Sequence, residues 1–151
     1  MSNKSKLHKT WREKLEGKHP SHGKIVKILI PKPLDVDAIM QNIPKGKLII
    51  LRQIMDKLAR DYNADKTCAK VTGIFMRIAS EAAEEDLREG RKGKDEITPY
   101  WRTIKNDGSL NPKFPGGVEA QAKELRKEGF SIEKSSKLPK VKDFEKYLVR
   151  L

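Results

Sequence analysis

The chain carries 151 residues, of which 36% are charged and 36% apolar, and its net charge is +12 at pH 7. That length supports one domain with appendages, built on a single core of roughly 90–100 residues. No apolar run reaches the ~18 residues of a membrane span, the basic N-terminus lacks the apolar stretch of a secretory signal, and the lone Cys68 excludes an internal disulfide or a multi-cysteine zinc site; a cytoplasmic protein is expected.

Residues 1–23 are Lys/His/Ser-rich and read as a basic, flexible tail, in which Leu7, Trp11 and Leu15 have the i, i+4, i+8 spacing of a short amphipathic helix. Residues 25–30 are a β-branched run bounded by Gly23 and Pro31, the pattern of a strand. Asp35 and Asp37 suit the first turn of a helix running to about Gln41. After a turn at Ile43-Pro44-Lys45-Gly46-Lys47, the spacing of Leu51, Ile54, Met55 and Leu58 predicts a second helix ending near Tyr62-Asn63. Thr67 is the expected N-cap of a longer third helix. Its expected apolar stripe is Val71, Ile74, Phe75, Ile78, Ala79 and Ala82. The same helix turns acidic at Glu81, Glu84, Glu85, Asp86 and Glu89, and the basic loop Gly90-Arg91-Lys92-Gly93-Lys94 follows. Residues 97–117 are expected to supply a wing and a motif loop. Residues 118–127 form a closing helix with Gly129 as its stop. The sum is a mainly helical protein with little β structure, a winged helix-turn-helix. Its parts are a tail over 1–23, a domain over 24–132 and a basic extension over 133–151. The extension holds one amphipathic piece: Val141, Phe144, Tyr147 and Leu148.

The charge is unevenly placed. Residues 1–33 hold nine Lys/Arg against Glu13 and Glu16, a local +7, and residues 134–151 hold six against Asp143 and Glu145, a local +4. Basic ends of this kind attract phosphate in a salt-dependent way. The same composition also describes solubilising, partly disordered tails. His8, His19 and His22 do not have the spacing of a structural zinc site. Cys68 lies at a helix start near Lys70, which would favour its thiolate, although a lone cysteine reads first as a small core residue. No Gly-rich phosphate loop and no Ser/His/Asp arrangement can be assembled, so neither a cofactor nor a metal is expected.

One ordered set of short motifs is more specific. Ile43-Pro44-Lys45-Gly46-Lys47, Gly73, Pro99-Tyr100-Trp101-Arg102-Thr103, Asn106-Asp107-Gly108, Pro115-Gly116-Gly117, Gln121 and Glu128-Gly129 follow one another over about 90 residues. This set resembles the C-terminal, DNA-binding domain of the DNA-repair alkyltransferases, the methylated-DNA–protein-cysteine methyltransferase family. Where that family carries its acceptor cysteine and the following histidine, this chain has Tyr100 and Trp101. An un-ionised phenol with no adjacent base is a poor nucleophile at neutral pH. The resemblance is therefore to the non-catalytic branch, the alkyltransferase-like proteins, which also replace that cysteine.

The resemblance implies roles for particular residues. Leu51 falls where the family has the tyrosine that rotates a nucleotide out of the duplex, so an apolar wedge replaces a hydroxyl-bearing ring. A shift of one residue would put Arg52 there, and Gln53 takes a polar position on the same helix. Lys70 falls where an arginine fills the gap left by the flipped base, keeping charge but losing the planar guanidinium. Gly73 matches a helix-packing glycine that follows shortly. With Thr67 and Thr72, these residues make up the expected DNA-binding surface. The acidic half of that helix would have to point away from DNA. Tyr100, Trp101, Arg102, Gly116 and Gly117 are the expected lesion pocket: the two rings stack on an alkylated guanine, Arg102 bonds carbonyls around it, and the glycines close the other wall; the alternative is that the rings pack the loop against the core, which suits Trp101 better than Tyr100, and that the glycines form an ordinary turn. The function implied is recognition of alkylated guanine in duplex DNA by a monomer without cofactor, as a signal to other repair proteins. The alternative is a winged-helix interaction protein that binds nucleic acid non-specifically and has no lesion pocket.

Overall fold

The computed structural model describes residues 10–20, 22–135 and 137–151. Leu7 and His8 lie outside that set. Thr10 and Glu13 close a reciprocal capping box on α1 (Trp11–Glu16), whose side chains are all exposed. Strand β1 (Ile28–Leu29) leads into α2 (Pro33–Gln41), which starts two residues earlier than the acidic pair suggests. Pro33 supplies the pre-set φ of a first helical position there. Between that turn and the second helix lies β2 (Ile49–Ile50), which leads into α3 (Leu51–Asp61). Asn63, with φ of 54°, ends that helix region where expected.

Strand β3 (Lys66–Thr67) and α4 (Ala69–Arg88) follow. Cys68 holds the N-cap position of α4. Thr67 is instead buried, donating its hydroxyl to the Met55 carbonyl at 2.8 Å and so tying β3 to α3. The buried face of α4 is also rotated from the expected stripe. Thr72, Met76, Ala79, Ser80 and Ala83 point inward, while Ile74 and Ile78 are 48% and 49% exposed. The inward hydroxyls of Thr72 and Ser80 bond carbonyls of their own helix, Cys68 at 2.8 Å and Arg77 at 2.6 Å, so burying them leaves no unmet polar group.

Residues 97–117, expected to supply a wing and a motif loop, hold a 3₁₀ turn (Tyr100–Arg102) and β4 (Thr103–Ile104), and β4 pairs in parallel with β2. Pro99, Pro112 and Pro115 interrupt the segment, and Gly108 turns it with φ of 87°. Helix α5 (Gly117–Lys127) packs against the 3₁₀ turn. Strands β5 (Ile132–Glu133) and β6 (Lys140–Val141) pair antiparallel, and β1 pairs in parallel with β3. The C-terminal segment, expected to lie outside the domain, is built into it. Val141 is 1% exposed, the Leu48 amide donates to the Tyr147 carbonyl at 2.9 Å, and Gln53 Nε2 donates to the Val149 carbonyl at 2.8 Å. One core collects α2, α3, α4, α5 and the 3₁₀ turn, with Met40, Leu48, Ile54, Leu110 and Leu125 at its centre.

Candidate nucleic-acid interface

The outward rotation of α4 creates the most chemically distinctive surface of the molecule. Lys70, Gly73, Ile74, Arg77 and Ile78 follow one another at i, i+3, i+4, i+7 and i+8, one face of a helix. They form one wall of an open groove of about 1160 Å³. Leu51, at the first position of α3, and the loop carrying Lys105, Asn106 and Lys113 form the other. The Arg52 amide donates to Asn106 Oδ1 at 2.7 Å, which fixes that loop to the start of α3. A Cβ built on Gly73 would meet nothing within 4 Å. Gly73 therefore does not serve close helix packing, as the resemblance implied; it keeps the groove floor low.

The groove carries both signs of charge. Lys70, Lys105 and Lys113 line it, and none of the three has an acidic partner among the described residues. Asp107, Glu81 and Glu85 line it too, so the acidic half of α4 does not point wholly away. It is partly neutralised: Arg91 bonds Asp86 at 2.8 Å, Glu85 at 3.2 Å and also Glu89, while Arg77 faces Glu81 at 3.9 Å. A polyanion laid in the groove is attracted by Lys70, Lys105 and Lys113 and repelled by the carboxylates that share its lining.

Of the residues expected on the DNA-binding surface, Leu51, Lys70 and Gly73 line the groove, and Arg52 is exposed beside it. Gln53 is taken up in structure: its Oε1 accepts from the Ile50 amide at 3.1 Å while its amide holds the C-terminal segment. Thr67 and Thr72 are 4% and 0% exposed and cannot reach a ligand on the surface. Arg77, Lys105 and Lys113 escape the sequence reading. Stepping seven residues from Lys70 along one helix face would have found Arg77, whereas the two lysines reach the groove only through tertiary packing.

Of the expected lesion-pocket residues, Trp101 and Arg102 line a second open cavity of about 730 Å³, with Lys94 over the Trp101 ring at 4.7 Å, and Tyr100 does not line it. Tyr100 and Trp101 are 4% and 5% exposed, and neither lines the groove. The Tyr100 ring meets Trp101 and Phe114 edge-on, with centroids 5.3 and 5.4 Å away, and its hydroxyl donates to Glu84 Oε1 at 2.7 Å. Burial pushes the phenol pKa up, and the Glu84 carboxylate pushes it further the same way, so no nucleophilic phenolate forms near neutral pH. Gly116 and Gly117 adopt φ of 80° and 71° and simply turn the chain into α5.

Arg102 does bond a carbonyl, as the resemblance implied, but as part of a clamp. Its guanidinium donates to the Ile43 carbonyl at 2.7 Å and to Glu128 Oε2 at 2.9 Å. Glu128 also accepts from Trp101 Nε1 at 2.6 Å and from the Gly46 amide at 3.3 Å. Burial alone would push the Glu128 carboxyl up, but Arg102, Trp101 and the Gly46 amide together hold it below its ordinary value. Gln121 plays a parallel part. At 1% exposure, its Nε2 donates to the carbonyls of Trp101 and Thr103 at 3.1 and 3.0 Å, and its Oε1 accepts from the Asn111 amide at 2.8 Å.

The His19 and His22 rings meet at a tilt of 41° with centroids 5.3 Å apart, and no cluster of three or more His, Cys, Asp or Glu is placed to hold a metal among the described residues. No helix among them is long and apolar enough to cross a membrane.

This fold is shared with two solved structures. One is S. pombe Atl1 in complex with damaged DNA containing O6-carboxymethylguanine: 19% identity, TM-score 0.53, over 79% of this chain and 94% of that one. The other is S. pombe ATL in complex with DNA: 20% identity, TM-score 0.54, over the same shares of both chains. No protein-family model and no curated protein matches the chain by sequence. At these identities the likeness is one of fold.

Proposed function

We propose that the protein is a non-catalytic DNA-binding protein of the alkyltransferase-like kind, which takes an alkylated guanine in duplex DNA into the groove beside α4. The observation that carries this reading is the outward face of α4. A helix that buries Thr72 and Ser80 while exposing Ile74 and Ile78 keeps an apolar strip where packing alone would have hidden it. Lys70, Lys105 and Lys113 give that strip a cationic rim, and Gly73 keeps it open. The apolar floor suits a base and its alkyl group; the rim suits the flanking phosphates. The lesion site is thereby moved from the Tyr100–Trp101 region to the Leu51, Gly73 and Ile74 region. A lesion held there would mark the site for other repair proteins.

Fluorescence anisotropy at near-physiological salt tests this with a duplex carrying one O6-alkylguanine and its unmodified twin. Wild type is expected to prefer the lesion tenfold or more, a difference of about 1.4 kcal/mol. Gly73→Leu is expected to abolish that preference. Mid-helix leucine is also a better helix former than glycine by roughly 0.5–1 kcal/mol, so the variant folds. The packed state of Tyr100 and Trp101 favours the second reading, non-specific nucleic-acid binding without a lesion pocket. Equal, steeply salt-dependent binding of both duplexes would establish it.

A further inference from the structure

Strand β1 is paired on one side only. The Lys27 carbonyl accepts from the Asp65 amide at 2.9 Å and the Leu29 carbonyl from the Cys68 amide at 2.9 Å, which registers Ile28 against Lys66 and Leu29 against Thr67. The residue between the two carbonyls, Ile28, turns its own amide and carbonyl to the opposite edge. No further strand pairs with β1 among the described residues, so that edge is open. A strand with one face on the core ordinarily turns polar side chains outward. Here Leu29 packs against the core, whereas Val26, Ile28 and Ile30, at every second position, are 49%, 50% and 61% exposed. Ile25 and Leu34 beside them are exposed as well. An uncovered apolar stripe next to unpaired main chain suits an added strand better than water.

Charge decides what that strand is. Lys24, Lys27 and Lys32 flank the stripe along the chain and Lys66 sits opposite Ile28; all four are exposed, and none has an ion-pair partner among the described residues. The nearby carboxylates are taken: Asp65 Oδ2 accepts from the Lys27 amide at 2.7 Å, and Asp35 accepts from the Tyr62 hydroxyl. A second copy laid antiparallel about Ile28 would set Lys24 against Lys32 of that copy, and like charges directly opposite destabilise a strand pair. An acidic strand meets no such repulsion. We propose that this edge docks an extended, acidic segment of a partner protein, which adds to β1 as the next strand of its sheet. Alternate apolar side chains of the segment cover Val26, Ile28 and Ile30, its main chain bonds the Ile28 amide and carbonyl, and carboxylates at its ends meet Lys24 and Lys32. Lys24 to Lys32 is about 26 Å of extended chain, which sets the segment at about nine residues. None of these residues lines the α4 groove, so the proposal stands independently of the DNA-binding reading.

Fluorescence anisotropy with the full chain tests this. The labelled probe is a peptide of that length, valine and threonine alternating between paired glutamates, and its control carries lysines in place of the glutamates. Wild type is expected to bind the glutamate probe at least about tenfold more tightly than the lysine probe. The triple variant Val26→Thr, Ile28→Thr, Ile30→Thr keeps β-branched side chains but removes the apolar stripe. It is expected to lose about tenfold in affinity for the glutamate probe, with circular dichroism and duplex affinity unchanged. Ile28→Pro has the same expected effect on the probe, because Lys27 and Leu29, not Ile28, make the bonds to β3. Lys24→Glu with Lys32→Glu is expected to reverse the preference, toward the lysine probe. If wild type binds neither probe, or both alike, the proposal falls. A preference that survives the charge swap would put the acidic probe on other lysines and overturn it too. Sedimentation showing a wild-type dimer that the triple variant dissociates would mean that a second copy covers the edge instead.

Discussion

Replacing Glu128 with glutamine gives the sharpest test of how this fold is held together. The Glu128 side chain is 7% exposed and its partner Arg102 15%, so the pair sits where a charge without its counter-ion is costly. Four donors converge on the carboxylate: two from Arg102, the Trp101 indole and the Gly46 amide. They join the Ile43–Gly46 turn, the 3₁₀ turn and the end of α5, three segments far apart in sequence. Glutamine keeps the shape and one acceptor but turns an amide donor toward the guanidinium. Removing one partner of a buried pair costs roughly 3–5 kcal/mol; retention of one acceptor puts Glu128→Gln at the lower end, about 3 kcal/mol. For a chain of this length that is a fall in Tm of about 6–12 °C.

Urea unfolding followed by circular dichroism measures the difference directly, and a pH series tests its cause. The folded Glu128 carboxyl titrates below its unfolded value of about 4.3. Its contribution is thus fully present above that pH and is lost as pH falls through the lower, folded value. The gap between wild type and variant should be constant from pH 7 to about 5 and close below about 4.3. A gap under about 0.5 kcal/mol at pH 7, within the range of ordinary surface substitutions, would refute the clamp. So would a gap that persists unchanged to pH 3, since that would mean shape rather than charge was lost.

Gln121→Leu strips partners from the carbonyls of Trp101 and Thr103 and from the Asn111 amide, and is expected to cost about 3 kcal/mol or more in urea unfolding at neutral pH. Gly108→Ala combines a φ of 87° with a methyl that would run into the Phe144 ring, so it should destabilise by about 2 kcal/mol, and Phe144→Ala in the same chain should relieve the steric part. Tyr100→Cys restores the side chain that the resembled family uses as acceptor. Because position 100 faces Glu84, Trp101 and Phe114 rather than the groove, intact-mass spectrometry after incubation with alkylated duplex should show no added mass on the variant. A stoichiometric adduct would place the lesion at Tyr100 after all.

Helix α3 is legible because Leu51, Ile54, Met55 and Leu58 leave no second reading of its buried side, and its end is legible because Asn63 tolerates a positive φ. The paired strands are not legible beyond residues 25–30, since two-residue strands carry no period to detect. On α4 the limits are readable and the face is not. Counting apolar residues puts Ile74 and Ile78 inside, because a count by type treats a buried threonine as a cost. The cost is absent where the hydroxyl bonds the helix's own carbonyls, as at Thr72 and Ser80.

The motif set fails in an instructive place. Its structural members Ile43 to Gly46, Arg102 and Glu128 converge on one clamp, and Gln121 holds the adjoining Trp101 and Thr103 carbonyls, so the group is legible because it ties the same 3₁₀ turn in place. Tyr100 reads as a pocket residue only from its place in the order. A large ring with a carboxylate sixteen residues upstream is stabilised more by packing and a buried hydrogen bond than by facing a groove. Scaffold and chemistry therefore separate cleanly here. The clamp depends on the buried Arg102–Glu128 pair, whereas the groove depends on which face α4 turns outward. In this chain Tyr100 is buried, and the recognition surface proposed above is built instead from the exposed isoleucines, Gly73 and Lys70 of α4 with Lys105 and Lys113.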